Sequence, residues 1–156
     1  MNNPADILVE GDWARSPWLA ELIKFVREVY RLHTFLLHKA DLKNVDGSCL
    51  YASLLLQRSL VDFVPECRAR IRGGGSGDGG CKDRDGILRG HYWVEGIGPE
   101  GLQFIADITS AQFGHAEIFL GTAANASSRY FAGDDEVVAS AAAQLLDACL
   151  AEAARD

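Results

Sequence analysis

The segment GHYWVEGIGPEGLQFIADIT, residues 90–109, decides the fold that we expect for this chain. Residues 88–97 and 101–109 are rich in tyrosine, tryptophan, valine, isoleucine and phenylalanine, side chains that favour β-strands. A Gly-Pro-Glu tripeptide at residues 98–100 separates the two runs. A short loop of turn-forming residues between two strand-forming runs predicts an antiparallel hairpin.

The same segment carries a histidine and an aspartate that the hairpin can bring together. If the loop is centred on residue 99, His91 lies opposite Asp107 and Trp93 lies opposite Ile105. Side chains at opposed positions of an antiparallel pair have Cβ atoms about 4.5–5.5 Å apart. We therefore expect the Asp107 carboxylate to hold a ring N–H of His91.

A cysteine upstream of the hairpin lies where a helix is expected to begin. The segment GSCLYAS, residues 47–53, opens an apolar run that continues to residue 63 and ends before Pro65. Because this run is apolar on most sides, it predicts a helix buried in the middle of the domain. Cys49 lies in its first turn, where the helix dipole and unpaired N–H groups favour a thiolate.

These three residues supply the parts of a thiol enzyme. Cys49 is the candidate nucleophile, His91 the candidate general base and acid, and Asp107 the group that would fix the histidine tautomer. An oxyanion would form near the helix N-terminus, where the Cys49 backbone N–H can donate to it. A structural cysteine beside a cross-strand His–Asp pair is the alternative that these residues leave open.

The other segments complete an α+β pattern. We expect a helix from Pro17 to about His38, a strand over residues 66–73 and a C-terminal helix over residues 133–156. Residues 73–86 contain seven glycines, a composition that predicts a flexible loop. No internal repeat is visible, so the whole chain, residues 1–156, is expected to form one domain.

Composition and charge narrow the function classes. The 156 residues carry a net charge of −7 and are 48% hydrophobic, which is typical of a soluble globular domain with no nucleic-acid or membrane surface. The N-terminus lacks a signal-peptide pattern, so we expect a cytoplasmic protein. The four cysteines form no C-x-x-C pair, and we expect free thiols and no metal site.

The motifs around these residues resemble those of the transglutaminase-like branch of the papain-like cysteine enzymes. In that branch Gly-x-Cys begins a buried helix, and H-x-W-V-E and then D-x-T follow on strands. The corresponding segments here are GSC at residues 47–49, HYWVE at 91–95 and DIT at 107–109. The resemblance covers roughly residues 44–113 and extends to the bacterial proteases that cleave lasso-peptide leaders.

The resemblance implies a papain-like α+β fold, in which a buried helix carrying Cys49 packs on an antiparallel sheet carrying His91 and Asp107. It implies a triad that acts on an amide bond through a thioester and needs no cofactor. The partner would be a peptide or protein substrate with a backbone amide or a glutamine side chain. Peptidase, deamidase and transglutaminase activities stay open, and a non-catalytic peptide- or protein-binding module on the same fold is the alternative.

Three further residues are candidates for substrate or oxyanion contacts. Asn44 and Gln112 are the two amide side chains that could complete an oxyanion hole. Trp93 could stack on substrate, although its position in the middle of a strand favours the core. The family often has a tryptophan one or two residues after its cysteine, where this chain has Leu50 and Tyr51.

Overall fold

The computed structural model describes residues 5–13, 16–42, 47–75 and 77–155. Within these ranges the helices are α1 (Pro17–Lys39), α2 (Cys49–Phe63), α3 (Ala123–Ala126) and α4 (Asp135–Ala153). The strands are β1 (Ile7–Glu10), β2 (Arg68–Gly74), β3 (Gly80–Lys82), β4 (Leu88–Arg89), β5 (His91–Ile97), β6 (Gln103–Asp107), β7 (Ile118–Thr122) and β8 (Tyr130–Phe131). The fold is therefore of the α+β class, as the sequence predicts.

Helices α1, α2 and α4 form where the sequence predicts them, because their ends carry local signals. The hydroxyl of Ser16 accepts from the Trp18 N–H at 3.3 Å at the start of α1, and Asp134 caps α4 in the same way. Helix α2 begins at Cys49 and ends shortly before Pro65, whose ring and missing N–H prevent the helix from continuing. In the described ranges no helix is long and apolar enough to cross a membrane.

Five strands form a mixed sheet in the order β1-β7-β6-β5-β2, and three short strands form a second sheet, β4-β3-β8. Strand β1 runs parallel to β7, whereas β7, β6, β5 and β2 are antiparallel to their neighbours. The wholly antiparallel sheet that we expected is therefore wrong at the β1 edge. The four residues of β1 are too few to show a period by themselves, and they pair only because β7 offers them an edge.

The larger sheet is covered on both faces. On one face Leu22 of α1 and Leu56 of α2 pack in a cluster with Val94. On the other face Tyr130 of the small sheet packs on Trp93, with ring centroids 5.0 Å apart. Because neighbouring residues on a strand point to opposite faces, Val94 packs against the helices and Trp93 packs against the small sheet.

The hairpin of β5 and β6 is present, but its register differs from the expected one. Ile105 pairs with Glu95 rather than with Trp93. The loop contains a 3-10 turn, Pro99–Gly101, in which Glu100 has a φ of 65° and Gly101 a φ of 76°. These left-handed residues centre the loop on residue 100, one position later than we expected.

The register change leaves His91 and Asp107 diagonal instead of directly opposed. The expected pairing is wrong by two residues, and a shift of two keeps both side chains on the same face of the sheet. Diagonal neighbours are still within reach of long side chains. The expected meeting of the two residues therefore survives the error in the turn.

The expected loop over residues 73–86 is wrong in part, because Gly73 and Gly74 belong to β2 and Gly80 belongs to β3. A Cβ on Gly73, whose φ is 129°, would lie 2.1 Å from the carbonyl oxygen of His91. A Cβ on Gly80 would lie 1.8 Å from the carbonyl oxygen of Arg89. These glycines let two backbones approach closely, and composition alone could not distinguish that use from a flexible loop.

Candidate active site

The three expected triad residues lie at one end of the larger sheet. His91 is the first residue of β5 and Asp107 is the last residue of β6, and antiparallel pairing brings these two ends together. Helix α2 begins at the same place, and Cys49 lies close enough to His91 for its side chain to raise the pKa of that ring. The start of one helix and the ends of two strands thus supply the site.

His91 and Asp107 form a fully buried pair. Nε2 of His91 lies 2.7 Å from Oδ2 of Asp107, and the two residues are 0% and 2% exposed. The Asp107 carboxylate also accepts from the Thr109 N–H at 2.9 Å, from Thr109 Oγ1 at 3.2 Å and from Tyr130 Oη at 2.8 Å. A buried carboxylate needs such partners, because an unpaired charge in the interior is strongly unfavourable.

The ionisation of the pair reflects a competition between burial and mutual attraction. Burial by itself would lower the pKa of His91, but the charge and hydrogen bond of Asp107, together with Cys49, raise it to about 9. Burial would raise the pKa of Asp107, but His91, Thr109 and Tyr130 hold it below its ordinary value. An imidazolium paired with a carboxylate is therefore the favoured form near neutral pH.

The other ring nitrogen of His91 faces the remaining site residues. Because Nε2 is bonded to Asp107, Nδ1 is left for Cys49 and for Gln112, whose Nε2 lies 3.1 Å away. Oε1 of Gln112 accepts from the backbone N–H of Gly47 at 3.4 Å. In this orientation the Gln112 NH₂ donates to an unprotonated Nδ1, and half a turn of the amide, which would offer its C=O to a protonated Nδ1, would cost the bond from Gly47.

Aromatic side chains enclose the His91 ring. Phe113 stands edge-on to it, with centroids 4.7 Å apart and planes at 85°. Trp93 and Tyr130 lie at centroid distances of 6.3 and 6.5 Å. This enclosure holds the ring in one orientation and keeps water away from its bond to Asp107.

Comparison of the chain with protein-family models, with curated proteins and with solved structures finds no match. In the described ranges, no three or more His, Cys, Asp or Glu side chains are grouped as a metal site would require. All four cysteines are free thiols.

The structure brings together most of the residues that the sequence singled out. Cys49, His91, Asp107 and Gln112 lie together, and the amide nitrogen of Gln112 contacts Nδ1 of His91 at 3.1 Å and Thr109 Oγ1 at 3.5 Å. Trp93 is 1% exposed and belongs to the cluster around Tyr130, which agrees with the core position that the sequence favours. Asn44 lies outside the described residues.

Two supporting residues, Thr109 and Tyr130, were not assigned to the site from the sequence. Thr109 had a local signal, because an aspartate commonly accepts from the N–H two residues later. Tyr130 had none, since it lies on the two-residue strand β8, 23 positions from Asp107. Its contact with Asp107 depends on how the small sheet packs against the larger one.

Proposed function

We propose that this chain is a cysteine-dependent amide hydrolase or acyl transferase, in which Cys49, His91 and Asp107 act as a triad through a thioester. The orientation of His91 carries this proposal. Its Nε2 is bonded to Asp107, which leaves Nδ1 for the Cys49 thiol. A thiol at one ring nitrogen and a carboxylate at the other is the arrangement that a nucleophile, a base and an orienting group require.

The proposed reaction has two halves. His91 holds the proton of the thiol as an imidazolium, and the thiolate Sγ of Cys49 attacks the carbonyl carbon of the amide. The oxyanion forms beside the start of α2, where the Cys49 backbone N–H and the Gln112 amide can donate to it. His91 then protonates the leaving amine, which departs from the thioester. Water or a second amine attacks the thioester with His91 as base, and the thiol is restored.

The placement of the elements supports a papain-like, transglutaminase-like fold. Helix α2 packs on β5 and β2, and its first residue is the candidate nucleophile. The histidine and the aspartate follow on neighbouring antiparallel strands. This is the order of elements that the resemblance implies, and the parallel strand β1 is an addition at the far edge of the sheet.

The substrate that we propose is a peptide or protein amide, either in the backbone or in a glutamine side chain. Three activities follow from the same thioester, according to the bond attacked and the acceptor. A glutamine-containing peptide distinguishes them, because a peptidase shortens it, a deamidase releases ammonia from it and a transamidase couples it to an added amine. Each product has its own mass, so one mass spectrum assigns the activity.

Thiol alkylation tests the triad without a known substrate. The four cysteines are labelled with iodoacetamide between about pH 5 and pH 9 and the products are read by mass spectrometry. Cys49 should react at least about tenfold faster than Cys149 near pH 6, because His91 gives its thiol an imidazole partner. The variant His91→Ala should remove this advantage. Cys149 is the matched control, since it is also partly buried.

The two other cysteines are internal controls for the same measurement. Burial raises the pKa of Cys67 to about 11 and that of Cys81 to about 12, so both thiols should react slowly throughout the range. Equal rates for Cys49 and Cys149 in the wild type would contradict the catalytic proposal. That result would favour the alternative, a peptide- or protein-binding module in which the three residues serve structure.

A further inference from the structure

A second buried histidine contacts the residue next to Cys49. His33 of α1 is 0% exposed, and its Nε2 lies 3.0 Å from Oγ of Ser48. It lies on the same helix face as the buried residues Val29 and Leu37, which are four positions away on either side. An apolar side chain would suit this face, so the imidazole is a polar exception that needs a reason.

The state of the His33 ring follows from its surroundings. Burial lowers the pKa of His33, so the ring is neutral near pH 7. Its Nδ1 is buried and finds no hydrogen-bond partner among the residues that the structure describes. The tautomer that keeps its proton on Nε2 pairs that N–H with the Ser48 oxygen. The tilted ring of Tyr51, 5.9 Å away, packs beside it.

Ser48 precedes α2, yet its hydroxyl makes no capping hydrogen bond to that helix. In the same chain Ser16 and Asp134 do cap their helices, α1 and α4. Serine at this position usually accepts from the N–H groups of the first turn. The contact with His33 directs the Ser48 oxygen toward α1, so the N–H groups of the first turn of α2 are not capped by it.

The residue before Ser48 is held from the opposite side. The backbone N–H of Gly47 donates to Gln112 at 3.4 Å, and Gln112 also contacts His91. Gly47 is exposed, with a φ of 76° and no heavy atom within 4 Å of a Cβ position, so its own packing does not hold it. The chain that leads into Cys49 is thus fixed between His33 and Gln112.

We propose that His33 is a positioning residue for Cys49, a role that rests on the proposed function of the triad. Nε2 of His33 draws the Ser48 hydroxyl toward α1 and fixes the first turn of α2 relative to His91. The N–H groups of that turn then remain available to the negative charge that forms on sulfur or on the oxyanion. His33 acts through Ser48 and not on the substrate.

Three variants and one control test this role. His33→Leu removes the donor and suits the apolar face, His33→Gln keeps an N–H donor, and Ser48→Ala removes the acceptor. His38→Gln is the matched control, because His38 is an exposed histidine of the same helix. The readout is the rate of alkylation of Cys49 by iodoacetamide across the pH range. Thermal unfolding checks that each variant is folded.

The expected pattern separates positioning from general stability. His33→Leu and Ser48→Ala should each lower the rate of Cys49 alkylation by about five- to tenfold, the equivalent of one net hydrogen bond. Cys49 in the double variant, His33→Leu with Ser48→Ala, should react no more slowly than in either single variant. His33→Gln should recover most of the wild-type rate. His38→Gln should react as the wild type does.

Other results would overturn the proposal in distinguishable ways. Wild-type rates in folded His33→Leu and Ser48→Ala, with His91→Ala still slow, refute the role of His33 and leave the triad intact. Slower alkylation of Cys49 in His33→Leu but not in Ser48→Ala also refutes the role of His33, because that role requires its contact with Ser48. If His33→Leu does not fold, Ser48→Ala decides alone. A wild-type Cys49 no faster than Cys149 refutes the proposed function, and the role of His33 with it.

Discussion

The two oxygens of Asp107 have different partners. Oδ2 is shared by His91 Nε2 at 2.7 Å and Tyr130 Oη at 2.8 Å, whereas Oδ1 accepts from Thr109. Two donors on one oxygen divide its charge, so Tyr130 weakens the hold of Asp107 on the His91 proton. Burial and the nearby carboxylate raise the pKa of Tyr130 well above its ordinary value. Tyr130 therefore remains a hydrogen-bond donor to Asp107 near neutral pH.

The variant Tyr130→Phe tests this division of charge. Removing the hydroxyl leaves the ring packing in place and gives His91 sole use of Oδ2, so the pKa of His91 should rise further above about 9. Stability should fall by about 1 kcal/mol, the net contribution of one hydrogen bond. NMR titration of the His91 imidazole measures the first effect. Tyr92→Phe, next to His91 on β5, is the control. An unchanged titration midpoint of His91 in Tyr130→Phe would contradict this division of charge.

Asp107→Asn should have the opposite effect on His91. The ring stays buried but loses the charge that holds its proton, so its pKa should fall below 6.5, the ordinary value. Alkylation of Cys49 near pH 6 should then slow by about a hundredfold or more, because the imidazolium is no longer favoured. Cys149 should keep its rate in the same sample. A Cys49 rate within a few fold of wild type would show that Asp107 does not support the pair.

Strand β2 depends on a glycine where it passes the start of β5. Gly73 has a φ of 129°, and a Cβ there would lie 2.1 Å from the carbonyl oxygen of His91. That oxygen belongs to the backbone of the histidine itself, so a displaced peptide at this point would disturb the position of the ring. The close approach of β2 therefore helps to set where His91 stands.

Gly73→Ala should disturb stability and the site together. We expect a loss of about 2 kcal/mol or more in the free energy of unfolding, because of the strained φ and the backbone clash. We also expect slower alkylation of Cys49. Urea unfolding and thiol alkylation measure the two effects. Gly75→Ala is the control, because a Cβ on Gly75 has no heavy atom within 4 Å. Equal stability of the two variants would contradict the close packing.

The ionisation of the buried pair is linked to the stability of the whole fold. The pKa of His91, about 9, lies above its ordinary value of 6.5, so the folded state holds a proton that the unfolded state releases in this window. This contribution is present in full below pH 6.5 and is lost as the pH rises through about 9. The contribution of Asp107 to stability has the opposite pH dependence, because its pKa is lowered from the ordinary value of 3.8. Its contribution is present above pH 3.8 and is lost as the pH falls through the lower value.

The free energy of unfolding should therefore decline between about pH 6.5 and pH 9, by at most about 1.4 kcal/mol per pH unit. Urea unfolding at several pH values measures this decline. His91→Gln should be less stable throughout and should lack the decline, whereas His38→Gln, at an exposed position, should keep it. A wild-type curve that is flat over this window would contradict the raised pKa of His91.

The sequence could predict what depends on short-range patterns. The apolar stripe of α1, the apolar run of α2 with Pro65 after it, and the two strand-forming runs of the hairpin all lie within a few turns of chain, and these elements are found. The register was wrong because it depends on a left-handed conformation at Glu100, which no pattern required. Strands β1, β7 and β8 were missed, because short strands form only when an edge is available.

By itself the sequence determined the α+β class and the meeting of His91 with Asp107, which lie on one face of neighbouring strands. Local propensity and a two-residue period suffice for that, since a register error of two keeps a side chain on its face. Only the tertiary structure decided which atoms meet. The contacts of His33 with Ser48, Tyr130 with Asp107 and Gly47 with Gln112 span 15, 23 and 65 positions. No local period relates such residues, because the packing of separate layers brings them together.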